Sequence, residues 1–229
     1  MKKKFTGVLI VAAGKGIRSK SIIPKQYLHF GNQSVLGMNI ANFLREPLID
    51  FIQVVINKKH VAFYKEAIGK IDSIKLLPFC FGGKTRSHSV KNGLEAIANK
   101  DCTKILIQDG ARPFTSSKII RKCIKGLDKF DVVFPGINIP DTLYLKKKES
   151  SRDTISKLGP SRDSLIRAQT PQAFRFDYIY KRHMSSSEHY TDDVNLAFLD
   201  NKKIEIISGS EYNFKITTQE DIKIAEKLF

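Results

Sequence analysis

The stretch Val8-Leu9-Ile10-Val11-Ala12-Ala13-Gly14-Lys15-Gly16-Ile17-Arg18, continued by Pro24-Lys25-Gln26-Tyr27-Leu28, decides the fold. An apolar run of strand length stops at small residues and hands over to a loop rich in lysine and arginine. Two glycines let the backbone approach an anion closely, so that its N–H groups can donate while the basic side chains supply charge. The first acid in the chain is Glu46, after eight Lys or Arg residues, so this phosphate-type loop lies in a positive field. The leading Met1-Lys2-Lys3-Lys4 and the apolar run together mimic a secretion signal. The run is only about eight residues long, however, and Lys15, Arg18 and Lys20 follow at once, so it reads as a buried first strand. No stretch reaches transmembrane length.

Strand-like runs recur outward from this point at 7–12, 51–56, 74–79, 104–107 and 131–134. Segments of helical spacing fall between them at 35–44, 61–68, 87–98 and 117–127. Nearly all-apolar strands alternating with helices predict an α/β fold, a doubly wound and mostly parallel sheet covered on both faces. The 229 residues are read as a single domain, with 41% hydrophobic residues sufficing for its core. Ligands of such sheets bind beyond the carboxyl ends of the strands. The glycine loop, Gly82-Gly83-Lys84-Thr85-Arg86 and Asp109-Gly110-Ala111-Arg112-Pro113 each follow a strand, so all three are expected on one edge.

Beyond residue 140 the pattern changes. Residues 141–145 read as a strand, 146–152 as a charged turn and 153–158 as an antiparallel return. This hairpin, within an arm of about 141–160, has too few apolar residues for a core of its own and is expected to project, reaching a second subunit. A polar loop follows, then a helix from about Asp177, the acidic turn Thr191-Asp192-Asp193 and a strand over 203–208. A last helix is expected to begin with a capping box from Thr217 to Glu220 and to turn Ile222, Ala225 and Leu228 inward.

Two common phosphate motifs fail on inspection. The dinucleotide fingerprint needs a third glycine or alanine where Ser19 stands, and a Walker A loop ending in Gly83-Lys84-Thr85 would start at Pro78. What remains is a strand, a short glycine turn with Arg18, and a Pro-Lys-Gln-Tyr element. Together with Gly82-Gly83-x-x-Arg86-x-x-Ser89-Val90, Asp109-x-Ala111-Arg112-Pro113, Asp141-Thr142, Gln169-Thr170-Pro171-Gln172, Thr191-Asp192-Asp193 and Asn213-Phe214-Lys215-Ile216-Thr217, this ordered set resembles the 2-C-methyl-D-erythritol 4-phosphate cytidylyltransferases of the non-mevalonate isoprenoid pathway. The likeness runs through nearly the whole chain.

The resemblance implies the nucleotidyltransferase, or glycosyltransferase-A-like, version of the fold. It implies transfer of CMP from CTP to methylerythritol phosphate with Mg²⁺ and release of pyrophosphate, in a cytoplasmic homodimer joined through the arm. Arg18, Lys25 and Lys215 would be the catalytic cations. Ala12, Ala13, Gly14 and Gly16 would hold the triphosphate and part of the base, and Gly82, Gly83 and Ser89 the cytosine. Asp109 would serve the metal, while Arg112, Thr142, Arg162 and Thr170 would bind the acceptor. Three departures stand out against the usual family residues: Gly110 for alanine, which is expected to loosen its loop, Ser161 for aspartate and Gln108 for histidine.

Each residue also has a plainer reading. Gly14 and Gly16 could mark an ordinary βα turn, Lys25 and Lys215 could be surface lysines, and Asp109 could be a turn former. Asp192 and Asp193 suit a helix N-terminus as well as a substrate role, and Lys146-Lys147-Lys148 suits a solvated turn. His29, His60, His88, His183 and His189 lack metal-ligand spacing, and Cys80, Cys102 and Cys123 form no C-x-x-C pair, which reads as buried, reduced thiols. Ribitol 5-phosphate cytidylyltransferases share the glycine loop and the C-terminal lysine. Tyr27, where those enzymes often carry Phe, and Arg167-Ala168-Gln169-Thr170 favour methylerythritol phosphate. The 39 basic against 23 acidic residues, net +16, would also suit a nucleic-acid-binding module. Against that, the aromatic residues are not interleaved with basic ones in any such motif.

Overall fold

The computed structural model describes residues 4–14, 23–69, 71–149, 152–186, 190 and 192–229. In chain order the elements are strand β1 (Phe5–Ala12), the short hairpin β2 (His29–Phe30) and β3 (Gln33–Ser34), α1 (Val35–Leu44), β4 (Phe51–Ile56), α2 (Val61–Ile68), β5 (Cys80–Phe81), α3 (Arg86–Ala96), β6 (Cys102–Asp109) and α4 (Ser117–Gly126). They continue with β7 (Val132–Asn138), β8 (Tyr144–Glu149), β9 (Arg152–Leu158), β10 (Ile166–Ala168), β11 (Gln172–Arg175), α5 (Phe176–Ser185), α6 (Val194–Leu199), β12 (Ile204–Ser208) and α7 (Gln219–Leu228).

Strands β5, β4, β1 and β6 lie side by side and parallel. The antiparallel β11 is wedged between β6 and β7, β10 pairs antiparallel with the far half of β7, and β12 pairs parallel with β7. Strand alternation divides the core into two layers. Val8, Ile10 and Ala12 of β1 face α1, α2 and α4 through Leu36, Ile40, Phe43, Tyr64, Ile120 and Cys123. Leu9 points the other way, into a layer with Val90 and Leu94 of α3, Ile179 of α5 and Leu196 of α6. This is the expected mostly parallel sheet with helices on both faces.

Several expectations need correction. The apolar run 74–79 is not a strand. It touches β4 through a single bridge, Ile52 to Leu76, and the β4 partner is Cys80–Phe81, because Pro78 interrupts the earlier run. The stretch expected as a polar loop after the hairpin contributes the antiparallel β10 and β11. Lys146, Lys147 and Lys148 are not a turn but lie in β8, paired with β9. The capping box of α7 is Thr218 with Asp221, one residue later than expected. Ala225 is buried, Ile222 is half-buried and Leu228 is exposed. Cys102 and Cys123 are buried, whereas Cys80 is only half-buried. Among the described residues, no helix is long and apolar enough to cross a membrane.

Candidate active site

At the carboxyl edge of the sheet, the segments that leave β1, β4, β5 and β6 enclose a cavity of about 350 Å³. Ala12, Ala13 and Gly14 come from the end of β1, Gly83 from the β5–α3 connection, Arg86 and Ser89 from the first turn of α3, and Asp109 and Gly110 from the end of β6. Lys25 lines it from the loop after β1, and Lys215 from the segment before α7.

The Pro-Lys-Gln-Tyr element is held to β1 by Gln26. Its buried amide donates to the carbonyls of Ala12 and Gly14, both at 2.8 Å, which sets the lysine beside it against the cavity. Tyr27 is 2% exposed and stacks on Phe63 with His60 at its edge. It belongs to the core, so it does not discriminate between acceptors by contact. Burial pushes its phenol well above the usual range, with Tyr64 adding to the shift.

The opposite wall needs its glycines. A Cβ on Gly82 would come within 2.4 Å of the Ala13 Cβ, and one on Gly83 within 2.4 Å of the His88 Cβ. The Ser89 hydroxyl accepts from Gly83 N–H at 3.2 Å and donates to the Thr85 carbonyl at 2.8 Å, tying that wall to α3. Gly110 is clamped, contrary to the expected looseness. Its N–H donates to the Val11 carbonyl at 2.9 Å, and a Cβ there would lie 2.9 Å from that of Ala12.

Asp109 is the charge centre of the site. Its Oδ1 receives Arg86 Nε at 3.3 Å, and its Oδ2 meets Lys215 Nζ at 2.8 Å and Arg112 Nε at 3.6 Å. Burial by itself would raise this carboxyl, but the cations of Lys215, Arg86 and Arg112 outweigh it and hold the group well below the usual carboxylate range. Arg86 continues to Asp193, with Nη1 to Oδ2 at 2.6 Å, and His183 Nε2 lies 3.1 Å from the other oxygen of Asp193. Burial opposes the charge on Asp193 as well, and Arg86 and His183 nonetheless hold its carboxyl below the usual carboxylate range.

Thr170 lies behind this centre. Its buried hydroxyl donates to Gln108 Oε1 at 2.9 Å and accepts from Asp109 N–H at 3.1 Å. Both functions of that hydroxyl are therefore used inside the protein, so Thr170 supports the Asp109 turn from behind. Gln108 completes the support by donating to Asn39, the Arg112 carbonyl and Thr115. The fully buried Asn213 accepts from Thr115 and donates to the Thr170 carbonyl, while its own carbonyl receives Arg112 Nη1 at 2.7 Å. Asn213 thus fixes the segment that carries Lys215.

The structure therefore gathers Ala12, Ala13, Gly14, Lys25, Gly83, Ser89, Asp109 and Lys215 around one cavity, with Gly82 in its wall and Arg112 on Asp109. Thr142 and Arg162 are exposed and do not line it, and Arg162 donates to the Pro140 carbonyl at 2.5 Å. Gly16 and Arg18 lie outside the described residues. Arg86, His183 and Asn213 escaped the reading of site residues from sequence, and Asp193 was read there as a helix N-terminus or a substrate residue, not as the partner of Arg86. Arg86, Asp193 and Asn213 sat inside quoted motifs, but their partners are remote in the chain, and His183 stood in no motif. Among the described residues no group of three or more His, Cys, Asp or Glu could hold a metal. The lone Asp109, ringed by cations, suits only a cation that arrives with most of its ligands as phosphate oxygens and water, which is how Mg²⁺ is commonly held.

A mostly parallel α/β sheet whose carboxyl edge brings Gly14, two lysines and an arginine-bound carboxylate to one cavity has the fold of the nucleotidyltransferase class and the charges suited to handling phosphates. A family model described as 2-C-methyl-D-erythritol 4-phosphate cytidylyltransferase matches residues 6–229. The chain is 36% identical over 225 residues to the protein of that name from Clostridium botulinum strain Langeland, covering 96% of each. It is 40% identical over 230 residues to the bifunctional enzyme IspD/IspF of Wolbachia pipientis wMel, covering all of this chain and 56% of that protein. The solved 4-diphosphocytidyl-2C-methyl-D-erythritol synthase of Anaerococcus prevotii superposes with a TM-score of 0.81 at 32% identity, over 98% of this chain and 96% of that one. The chain belongs to the 2-C-methyl-D-erythritol 4-phosphate cytidylyltransferase family.

Proposed function

We propose that this chain transfers CMP from CTP to 2-C-methyl-D-erythritol 4-phosphate, forming 4-diphosphocytidyl-2-C-methyl-D-erythritol and pyrophosphate for isoprenoid precursor synthesis. The observation that carries this reading is the meeting of Lys25, Lys215 and Asp109 around one cavity, although they come from widely separated parts of the sequence. The attacking group is a phosphate oxygen of the acceptor, already anionic, so no general base is required. A bond forms from that oxygen to the α-phosphorus of CTP, and the bond to the bridging oxygen of the departing pyrophosphate breaks. The work left to the protein is to bring two polyanions together and to stabilise charge on the phosphoryl oxygens, which suits fixed cations.

Lys25 and Lys215 neutralise that charge, with Arg18 as a third cation. The backbone of Ala12 to Gly16 cradles the triphosphate. Gly82, Gly83 and Ser89 form a narrow wall, fitted by size to a pyrimidine. Arg112, Thr142 and Arg162 receive the acceptor, with Thr170 supporting from behind Asp109. Asp109 would be the protein's carboxylate donor to Mg²⁺, and the ion would add charge neutralisation on the phosphates. Uncovered apolar residues on the β8–β9 hairpin support a homodimer formed through the arm, and the free thiols of Cys80, Cys102 and Cys123 suit the cytoplasm.

The test is pyrophosphate release from CTP and Mg²⁺ with methylerythritol, ribitol and erythritol phosphates supplied separately. Release that depends on methylerythritol phosphate is expected. Preference for ribitol 5-phosphate, or no acceptor-dependent release, would overturn the reading.

A further inference from the structure

The chain of polar contacts behind Asp109 extends further than the proposed reaction needs. His183 lies on α5, Asp193 caps α6, Arg86 opens α3 and Asp109 ends β6, so four separate elements are joined by three contacts. Asp193 and His183 are nearly inaccessible, with side-chain exposures of 1% and 2%. Asp193 is itself oriented from the backbone side, because its N–H donates to Gln172 Oε1 at 3.3 Å while the Gln172 amide donates to Asp192 at 2.6 Å. Val194 N–H, at the start of α6, donates to Asp192 at 2.8 Å.

Buried ion pairs of this kind contribute little net stability, since desolvation offsets most of the attraction; their attested value lies in fixing one arrangement. The arrangement fixed here is the plane of the Asp109 carboxylate. One oxygen is taken by Arg86 and the other by Lys215 and Arg112. Arg86 lines the cavity, but its Nη1 is held by Asp193, which fixes the guanidinium against Asp109. The Lys215 ammonium therefore has a fixed counter-charge to rest against.

We infer that His183, Asp193 and Arg86 form a positioning relay that holds the Asp109 carboxylate, and through it the Lys215 ammonium, in the geometry the transfer step requires. The inference rests on the proposed cytidylyl transfer, and none of the three residues is assigned contact with the reacting atoms. Misplacing a catalytic group by about 1 Å can cost about a hundredfold in rate. Loosening the relay is therefore expected to act on kcat and to leave nucleotide binding nearly intact.

The full-length protein is assayed as Asp193→Asn, His183→Leu and His183→Gln for pyrophosphate release from CTP. Asp193→Asn is expected to lower kcat by about a hundredfold with KM for CTP within about threefold of the parent. His183→Leu should lower kcat by about tenfold, and His183→Gln, whose amide can still donate to Asp193, should recover most of that loss. Where Asp193→Asn fails to fold, the two His183 variants decide. Values of kcat within about twofold of the parent for all folded variants would overturn the relay, as would a loss in His183→Gln equal to that in His183→Leu. A second measurement needs no turnover: acetylation of Lys215 by acetic anhydride in the nucleotide-free protein, followed by mass spectrometry. Faster acetylation in Asp193→Asn or His183→Leu supports the relay, even if the parent releases no pyrophosphate, in which case only the cytidylyl-transfer reading fails. Unchanged acetylation overturns the relay.

Discussion

The cavity at the carboxyl edge and the β8–β9 hairpin are both rich in charge, yet they are built in opposite ways. Around Asp109 the charged groups hold one another, Arg86 and Lys215 from distant elements and Arg112 from three residues further on, and the two apolar layers of the sheet lie directly beneath. In the hairpin, Lys146 pairs with Asp153 at 3.0 Å with both side chains largely exposed, and Tyr144, Leu145, Ile155 and Leu158 are uncovered. Exposed ion pairs contribute little, and a two-stranded ribbon has no core. The cavity can thus hold closely spaced charges because the sheet stabilises it, whereas the hairpin leaves its apolar side chains uncovered.

Three variants test this contrast, in falling order of effect. Lys215→Ala should reduce turnover by about 10³-fold while lowering Tm by no more than about 4 °C, because the fold rests on the layers below and the lysine serves the transferring phosphoryl group. Steady-state kinetics beside a thermal melt decides it, and a melting loss that accounts for the activity loss would place Lys215 among structural residues.

Asp109→Asn comes second, at about 3 kcal/mol of folding stability at neutral pH, since three cations lose their shared carboxylate. The sign with pH follows from the depressed native pKa of Asp109. Its contribution is complete above the unfolded-state value of about 4 and fades as pH falls through the lower native value. Urea unfolding of parent and variant at several pH values should show a gap that narrows only in acid. A gap independent of pH would mean that packing, and not charge, holds this turn.

The smallest effect on stability is expected at the hairpin. Replacing Ile155 and Leu158 together by Lys should change folding stability by no more than about 0.5 kcal/mol. Sedimentation of the same variant should shift toward a lighter species. A loss of stability as large as that of Asp109→Asn would show the hairpin packed on its own subunit.

The elements legible in the sequence were those whose pattern is local. β4, α1 and α2 fall where apolar periodicity puts them, because each buries one regular face or a continuous run. β10 and β11 were not legible, since Ile166–Ala168 and Gln172–Arg175 are short and partly polar and become strands only by pairing with β6 and β7. The same limit applies to the site. Gly82, Gly83, Lys25 and Asp109 stand in the motifs that carry the family resemblance, but His183 has no local pattern and gains its place only through Asp193.

Apolar period along the chain is enough to lay out the mostly parallel α/β frame and to put basic residues near the strand ends, because both are properties of neighbouring residues. Tertiary structure alone decided that Asp109 would be shared by Arg86, Arg112 and Lys215, and that Arg86 would be anchored on Asp193. Charges act over a few ångströms of space whatever their separation along the chain, so their pairing is settled only when the sheet has brought its loops to one edge.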